Sequence, residues 1–384
     1  MMVVRRTTYP QVDPRAGGLM TRAVVLVPRS LPLVEAMRVA RRRRARLVLA
    51  RLGTGWGAAT PETLERALGL DLDRAALDAV LWGAPSLDVG VPEIAVRRRL
   101  GPATPFAVVL QAGRPVGAVL AGPGACRPLP RSAAQALDRL EGATGEVLRT
   151  TGRLGIEAGW RVAAVGGLVR DLLRGRLAAE PRDLDLAVEG DGRLLARRLG
   201  RALGGRVREH ESFLTATVTL PDGRRVDLAT ARRERYRRPG ALPLVEPATL
   251  DEDLARRDFS VNALAVRVDE SAWGQVLDPT GGLADLARGR IRILHPLSFV
   301  EDPTRIFRAG RFAERLGFRL EPATRRLLRA AAGLEVYAAL SGDRLMAELE
   351  AILGESRPSA VLARLGRAGA FRLPQEKSGK FQMA

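Results

Sequence analysis

Asp183-Leu184-Asp185-Leu186-Ala187-Val188 is the stretch that most narrows what this chain can build. Residues two apart on a β-strand project from one face, so Asp183 and Asp185 are expected side by side. Leu184, Leu186 and Val188 then turn into a core. Two adjacent carboxylates repel unless a positive charge lies between them, and a magnesium ion, which takes oxygen ligands, suits that need. An isolated pair of this kind can equally be a solvated strand face. The text before it sharpens the choice: Val162–Val165 is an apolar strand, Gly166-Gly167 a turn, and Leu168–Leu173 has helical spacing. Glycines at such a turn let backbone N–H groups approach a phosphate at a helix N-terminus, although a tight turn uses them as readily.

Three later blocks add chemistry. Phe213–Leu220 and Arg225–Thr230 form an expected hairpin through Pro221-Asp222-Gly223, with Asp227 facing opposite to Val226 and Leu228. Asp227 is either a third carboxylate of the cluster or an exposed strand acid. Arg256-Arg257-Asp258-Phe259-Ser260-Val261-Asn262 places two guanidiniums, an acid and an amide beside apolar residues. Arginines of this kind can hold triphosphate oxygens, and Asp or Asn can bond a ribose hydroxyl. Glu301-Asp302-Pro303-Thr304-Arg305 opens a helix, with Asp302 as the expected N-cap and Pro303 at the first position. Asp302 and Arg305 are either a capping residue and a surface ion pair or a hydrogen-bonding edge that reads a base.

The charge balance points the same way. Basic residues outnumber acidic ones 62 to 43, for a net charge of +19. A polyanion is the natural partner of such a surface. Only Lys377 and Lys380 are lysines, the usage expected of a GC-rich genome, which accounts for the choice of arginine but not for the excess. No apolar run is long enough to span a membrane. The opening residues MMVVRRTTYPQVDPR show no apolar segment or cleavage site of a signal peptide. The single cysteine, Cys126, excludes an intramolecular disulfide, and a reducing, cytoplasmic setting is expected. His210 and His295 stand outside any metal-ligand pattern and receive no role.

Ahead of this chemistry, strands and helices alternate in two cycles. Ala23–Val27, Arg46–Ala50, Phe106–Leu110 and Val116–Leu120 read as strands. Leu33–Arg43 reads as a helix, and a second helix starts at Pro61 behind the cap Thr60. The segments LMTRAVVLVPRSLPLVEAMRVARRRRARLVLA and PFAVVLQAGRPVGAVL resemble a CBS-domain pair, a module that often binds adenosine nucleotides. Ala121-Gly122-Pro123-Gly124 stands where that family usually carries a ribose-binding Thr and Asp, so the resemblance implies a degenerate, structural or regulatory pair. Such a pair could also dimerise.

The ordered blocks VGGLVRDLLRG…PRDLDLAVEG, VDLATARRERYRRPGALPLVEPATLDEDLARRDFSVNALAV, DPTGGLADLARGRIRIL, EDPTRIFRAGRFAERLGF and DRLMAELEAIL resemble the class II tRNA nucleotidyltransferase/poly(A) polymerase family from about Val162 to Leu353. The resemblance implies a template-independent, Mg²⁺-dependent enzyme adding A, C or both from ATP and CTP to a tRNA 3′ end. Gly166, Gly167, Arg170 and Asp171 match the family's nucleotide-phosphate turn, and Asp183 and Asp185 its metal carboxylates. Arg257, Asp258 and Asn262 match its ribose-selecting block. Glu301, Asp302, Arg305 and Arg308 match the block in which protein side chains recognise the incoming base. Arg344 and Glu348 match a neck-helix motif that steadies that edge, and Asp278, Gly282 and Asp285 a hinge-like block. Poly(A) addition to other RNAs, or an inactive RNA- or nucleotide-binding regulator on the same fold, are the alternatives. The stretch Thr230–Leu250, with Arg232, Arg233, Arg235 and Tyr236, is where nucleotide programmes could differ.

The expected fold class is α/β and multidomain. It comprises an N-terminal tail over 1–17, the CBS-like pair over 18–130 and a helical linker over 131–159. A catalytic head with a mixed, antiparallel-rich sheet follows over 160–290, and an all-helical neck over 291–384 with a shortened RNA-binding body, because this chain stops soon after Ala370–Pro374 where the family continues.

Overall fold

A computed structural model describes residues 15–121, 131–138, 140, 142–176, 181–334 and 336–371. Cys126, most of the N-terminal tail and the lysine-bearing stretch at 375–384 lie outside the described residues. The N-terminal region holds two small sheets. Val24–Leu26, Leu47–Leu52, Gly55–Ala59 and Trp82–Ala84 form one, with the first pair parallel and the rest antiparallel. Ser86–Asp88, Phe106–Gln111 and Arg114–Leu120 form the other. The second hairpin turns on Ala112 and Gly113, both at positive φ, the geometry that matches the twist of the strands it joins. Helix α1, Leu33–Arg43, buries Leu33, Ala36, Met37 and Ala40, the face its spacing predicts. Helix α2, Pro61–Leu68, starts where expected: Thr60 Oγ1 accepts the Thr63 N–H at 3.2 Å, and Pro61 needs no hydrogen-bond partner.

The head is built on a seven-stranded sheet in the order 206–210, 215–219, 225–230, 183–189, 161–165, 265–267, 276–277. Every neighbouring pair is antiparallel except Asp183–Glu189 beside Arg225–Thr230, which is parallel. Leu184, Leu186 and Val188 are buried beneath the sheet, as alternation requires, and Val226 and Leu228 join them from the adjacent strand. Helices Ala143–Glu157 and Gly192–Leu203 cover that apolar face. The expected hairpin forms between Thr215–Thr219 and Arg225–Thr230, with Thr217 opposite Asp227; Phe213 falls in a short helical turn before it rather than in the strand.

The remaining chain is mostly helical: Ser298–Glu301, α3 at Thr304–Leu316, Pro322–Ala332, α4 at Gly342–Leu353, and Pro358–Ala368. One correction follows: this part is not wholly helical, since Arg290–Ile291 pairs in parallel with Arg319–Leu320 and fastens the exit of the head to the neck. Asp302 does the capping expected of it at α3: its backbone is extended, Pro303 after it is already helical, and its carboxylate accepts from Thr304 N at 3.1 Å and Thr304 Oγ1 at 2.6 Å. One apolar core runs from α1, α2 and Trp82 through Phe259 and Phe299 to Phe312 and Leu365, so the N-terminal region and the neck bury each other. Arg326 of the neck donates to the Asp78 carbonyl at 2.6 Å. No helix among the described residues is long and apolar enough to cross a membrane.

Candidate nucleotide site

A cavity of about 550 Å³ opens between the head and the neck. The strand Arg161–Val165 ends at Gly166, whose φ of +70° only glycine takes without strain, and the helix Gly167–Leu173 begins there. A Cβ at Gly166 would stand 3.5 Å from Asp185 Oδ2 and 3.8 Å from Arg257 Nη1, so the turn, the acidic strand and the arginine block meet at this point.

Asp183 and Asp185 rise from the solvent side of the sheet, and the register places Asp227 directly beside Asp185. Crowding by protein pushes the Asp185 carboxyl above its usual range; Arg257 opposes this, while Asp227 and Asp183 add to it. Asp227 accepts a hydrogen bond from the Thr217 hydroxyl and lies 3.8 Å from Arg225. Asp185 lines the cavity; Asp183 and Asp227 stand next to it on the same face of the sheet. Among the described residues no set of three His, Cys, Asp or Glu side chains forms a ready-made metal cage. An open pair of carboxylates, completed by phosphate oxygens, is instead how magnesium is commonly held.

The opposite side is already bonded together. Arg170, 5 % exposed, donates to Asp171 at 3.0 and 2.8 Å and to Asn262 Oδ1 at 2.9 Å. Asn262 Nδ2 donates to Asp258 Oδ1 at 3.2 Å, and Arg308 grips Asp258 Oδ2 through Nε and Nη2 at 2.9 and 2.5 Å. Burial alone would raise the Asp258 carboxyl, but Arg308 and its hydrogen bonds hold it below the ordinary value. Arg305 donates to Ser298 Oγ at 2.8 Å and to the Arg256 carbonyl at 2.9 Å; its Nε lies 3.8 Å from Asp302 Oδ2. Arg344 of α4 donates to Asp302 Oδ1 at 2.8 Å and to the Gly240 carbonyl at 2.5 Å. Glu348 reaches the cavity from the same helix, 3.6 Å from Arg311, and its carboxyl is raised by burial.

Twelve of the residues matched to the family's motifs therefore line one cavity: Gly166, Gly167, Arg170, Asp185, Arg257, Asp258, Asn262, Asp302, Arg305, Arg308, Arg344 and Glu348. Glu301 does not. It is buried behind Asp302 and takes a hydrogen bond from Arg66 of α2. Asp171 also stays off the cavity wall and serves to aim Arg170. Asp278 accepts the N–H groups of Gly282 at 2.6 Å and Leu283 at 3.1 Å, and Asp285 accepts from Ser260 and Arg292, both at 2.7 Å. A Cβ on Gly282 would lie 2.1 Å from the Ser260 carbonyl, so this block is a close-packed joint behind the site. A larger cavity of about 810 Å³ lies between Glu93–Arg99 and the 278–288 segment, and of the predicted residues it touches only Asp278.

Several site residues escape a local reading. Asp253, 1 % exposed, holds Arg256 at 2.6 Å and Arg257 at 2.8 Å, and Glu234 takes Arg256 at 2.6 Å. The helical spacing of Asp253 to Arg256 and Arg257 was the available signal. Phe312 lies among the guanidiniums of Arg170, Arg308, Arg311 and Arg315, 5.2 to 5.8 Å from its ring centre. Two residues singled out in the 230–250 stretch, Arg232 and Tyr236, do line the cavity, the Tyr236 hydroxyl donating to Glu234 at 2.9 Å.

A sheet face carrying acids thus stands against a glycine turn and an arginine-rich helical wall, an arrangement with the charge and donors to hold a nucleotide. Residues 162–292 match the family model of the Poly A polymerase head domain. The chain is 46% identical over 229 residues to the A-adding tRNA nucleotidyltransferase of Geobacter sulfurreducens, covering 60% of this chain and 26% of that protein. It is 44% identical over 214 residues to the CC-adding tRNA nucleotidyltransferase of Deinococcus radiodurans, covering 55% of each. Among solved structures it resembles the apo form II of a CCA-adding enzyme, with a TM-score of 0.58, 39% identity, and 62% of this chain and 56% of that one covered. The chain thus spans between about a quarter and just over half the length of these relatives.

Proposed function

We propose that this chain is a template-independent RNA nucleotidyltransferase adding A, C or both from ATP and CTP to a 3′ end, with tRNA as its acceptor. One observation carries the reading: Asp185, with Asp183 and Asp227 beside it on the sheet, faces the Asp258–Asn262–Arg170 chain and the Asp302–Arg305 edge across one cavity. The attacking RNA 3′ oxygen forms a bond to the α-phosphorus, the bond from that phosphorus to the bridging oxygen breaks, and pyrophosphate leaves. Asp183 and Asp185 are the residues that would hold a divalent cation, magnesium fitting their oxygen donors and the raised Asp185 carboxyl that a cation would relieve. When bound, such a cation makes the attacking hydroxyl more acidic and neutralises the departing pyrophosphate.

The rest is work for the chain's own side chains. Gly166 and Gly167 open backbone N–H groups at a helix start toward phosphate, and Arg170 and Arg257 supply the charge beside it. Asp258 and Asn262, fixed by Arg308 and Arg170, present a hydrogen-bonding edge for a ribose. Asp302 and Arg305 offer an acceptor and a planar donor to a base, so protein takes the place of a template strand. Residues 18–130 are read as a degenerate CBS-like pair that supports the neck.

The test is incubation of the purified chain with Mg²⁺, labelled ATP or CTP, and tRNAs ending before CCA, after C, or after CC. Extension of any of these by the matching nucleotide supports the reading. Absence of incorporation on every acceptor sinks it in favour of a binding regulator on the same fold, and extension of unrelated RNA 3′ ends alone favours poly(A) addition.

A further inference from the structure

The edge assigned above to base reading is held in part from outside the head and neck. Glu301 immediately precedes Asp302, is 4 % exposed, and points away from the cavity toward the N-terminal region. There Arg66, on α2, donates to its Oε1 through Nη2. The two residues are 235 positions apart in sequence. Among the described residues Arg66 is the side chain that hydrogen-bonds this carboxylate; His295 Nε2 is farther, at 3.5 Å. A buried carboxylate without a donor is costly, so the turn carrying Glu301 is fixed where Arg66 can reach it.

That turn, Ser298–Glu301, is the mount of the reading edge. Ser298 accepts from Arg305 at 2.8 Å. The Glu301 carbonyl accepts from Gly240 N at 3.1 Å, the Gly240 carbonyl accepts from Arg344, and Arg344 returns to Asp302. Arg66, which lies outside the cavity, thus closes a chain of bonds that reaches both Asp302 and Arg305 on its wall. The shared core of α1 and α2 with Phe299 and Phe312 makes the anchor firm.

We propose that Arg66 is a positioning residue for nucleotide selection, fixing the Asp302–Arg305 edge through Glu301. The N-terminal region is thereby part of the selecting apparatus rather than an appended module. The proposal rests on the reading that this edge recognises a base.

The experiment compares Arg66→Ala and Arg66→Lys with the unmodified chain, measuring KM and kcat for ATP and CTP on tRNA, equilibrium binding of each nucleotide, and thermal melting. Arg66→Ala is expected to lower kcat/KM for the preferred nucleotide about tenfold, mainly through KM, and to narrow the ATP-to-CTP ratio by a similar factor. Arg66→Lys, which keeps a cationic donor, is expected to restore most of both. If Arg66→Ala does not fold, Arg66→Gln is read in the same way. A variant that melts earlier yet keeps the unmodified KM values and ratio overturns the proposal and leaves Arg66 a structural residue. Failure of the unmodified chain to bind or distinguish either nucleotide overturns the functional reading itself, a result separate from unchanged selection in the variant.

Discussion

The two walls of the cavity are built on opposite physical plans. The sheet wall presents Asp185, with Asp183 and Asp227 beside it at positions set by strand register, and these like charges are offset only in part by Arg257 and Arg225. The helical wall carries Asp258, Asn262, Asp302, Arg305 and Arg308, and nearly every polar atom there already has a partner. The first wall is tense and waits for a cation; the second is satisfied and presents a fixed pattern. Under the proposed function the site takes a cation with its substrate and chooses a base without a template, and the two walls divide that work between them.

Removing the tension should abolish chemistry without harming the fold. Asp183→Ala or Asp185→Ala is expected to reduce nucleotide incorporation about a thousandfold or more, while the melting temperature stays the same or rises slightly. Normal activity in either variant would refute the metal role. Breaking the satisfied wall should do the reverse. Asp258→Ala leaves Arg308 without its partner and removes an acceptor for Phe259 N, and should cost about 3 kcal/mol in denaturant unfolding. A loss below about 1 kcal/mol would show that the pair is dispensable to that wall.

A smaller effect is expected at the reading edge. Asp302→Ala removes the acceptor of Arg344 and should cut discrimination between ATP and CTP about tenfold, with a smaller change in total rate. Equal loss with both nucleotides would contradict base reading. The contrast also predicts opposite responses to pH. The Asp185 carboxyl is raised in the folded state, so its ionisation costs stability, a cost fully present above its folded value and absent below the ordinary carboxylate range. The Asp258 carboxyl is depressed, so its contribution is present above the ordinary range and lost as pH falls through its folded value. Without metal, Asp185→Asn should therefore stabilise the chain at neutral pH and lose that advantage on acidification toward about pH 4. Mg²⁺ should raise the melting temperature of the unmodified chain and not of this variant. Last, Thr217→Val removes the hydroxyl bonded to Asp227 and is expected to slow incorporation only a few-fold, about 1 kcal/mol.

The two walls also differ in how they could be read from sequence. Asp183, Asp185 and the buried Leu184, Leu186 and Val188 obey a period of two, and Leu33–Arg43 obeys the helical period to the residue. Gly166 was legible because a strand must turn sharply there into a helix. Asp227 was placed on the correct face, but the parallel pairing that sets it beside Asp185 joins strands separated by a helix and a hairpin. Glu301 and Asp171 share motifs with cavity residues, yet Glu301 turns toward Arg66, which its motif does not contain, and Asp171 turns back onto Arg170 of its own. Asp253 was passed over because its value lies in being buried against two guanidiniums.

Sequence alone determined the local periods, the caps and turns, the excess of positive charge, and which residue types could meet phosphate, ribose and metal. These are short-range properties, fixed by sterics and hydrogen bonding within a few residues. Tertiary structure alone decided the strand order that gathers three carboxylates, the salt-bridged wall opposite them, and the reach of Arg66 to Glu301. Those contacts depend on which apolar faces bury one another, and burial is settled only when the whole chain has packed.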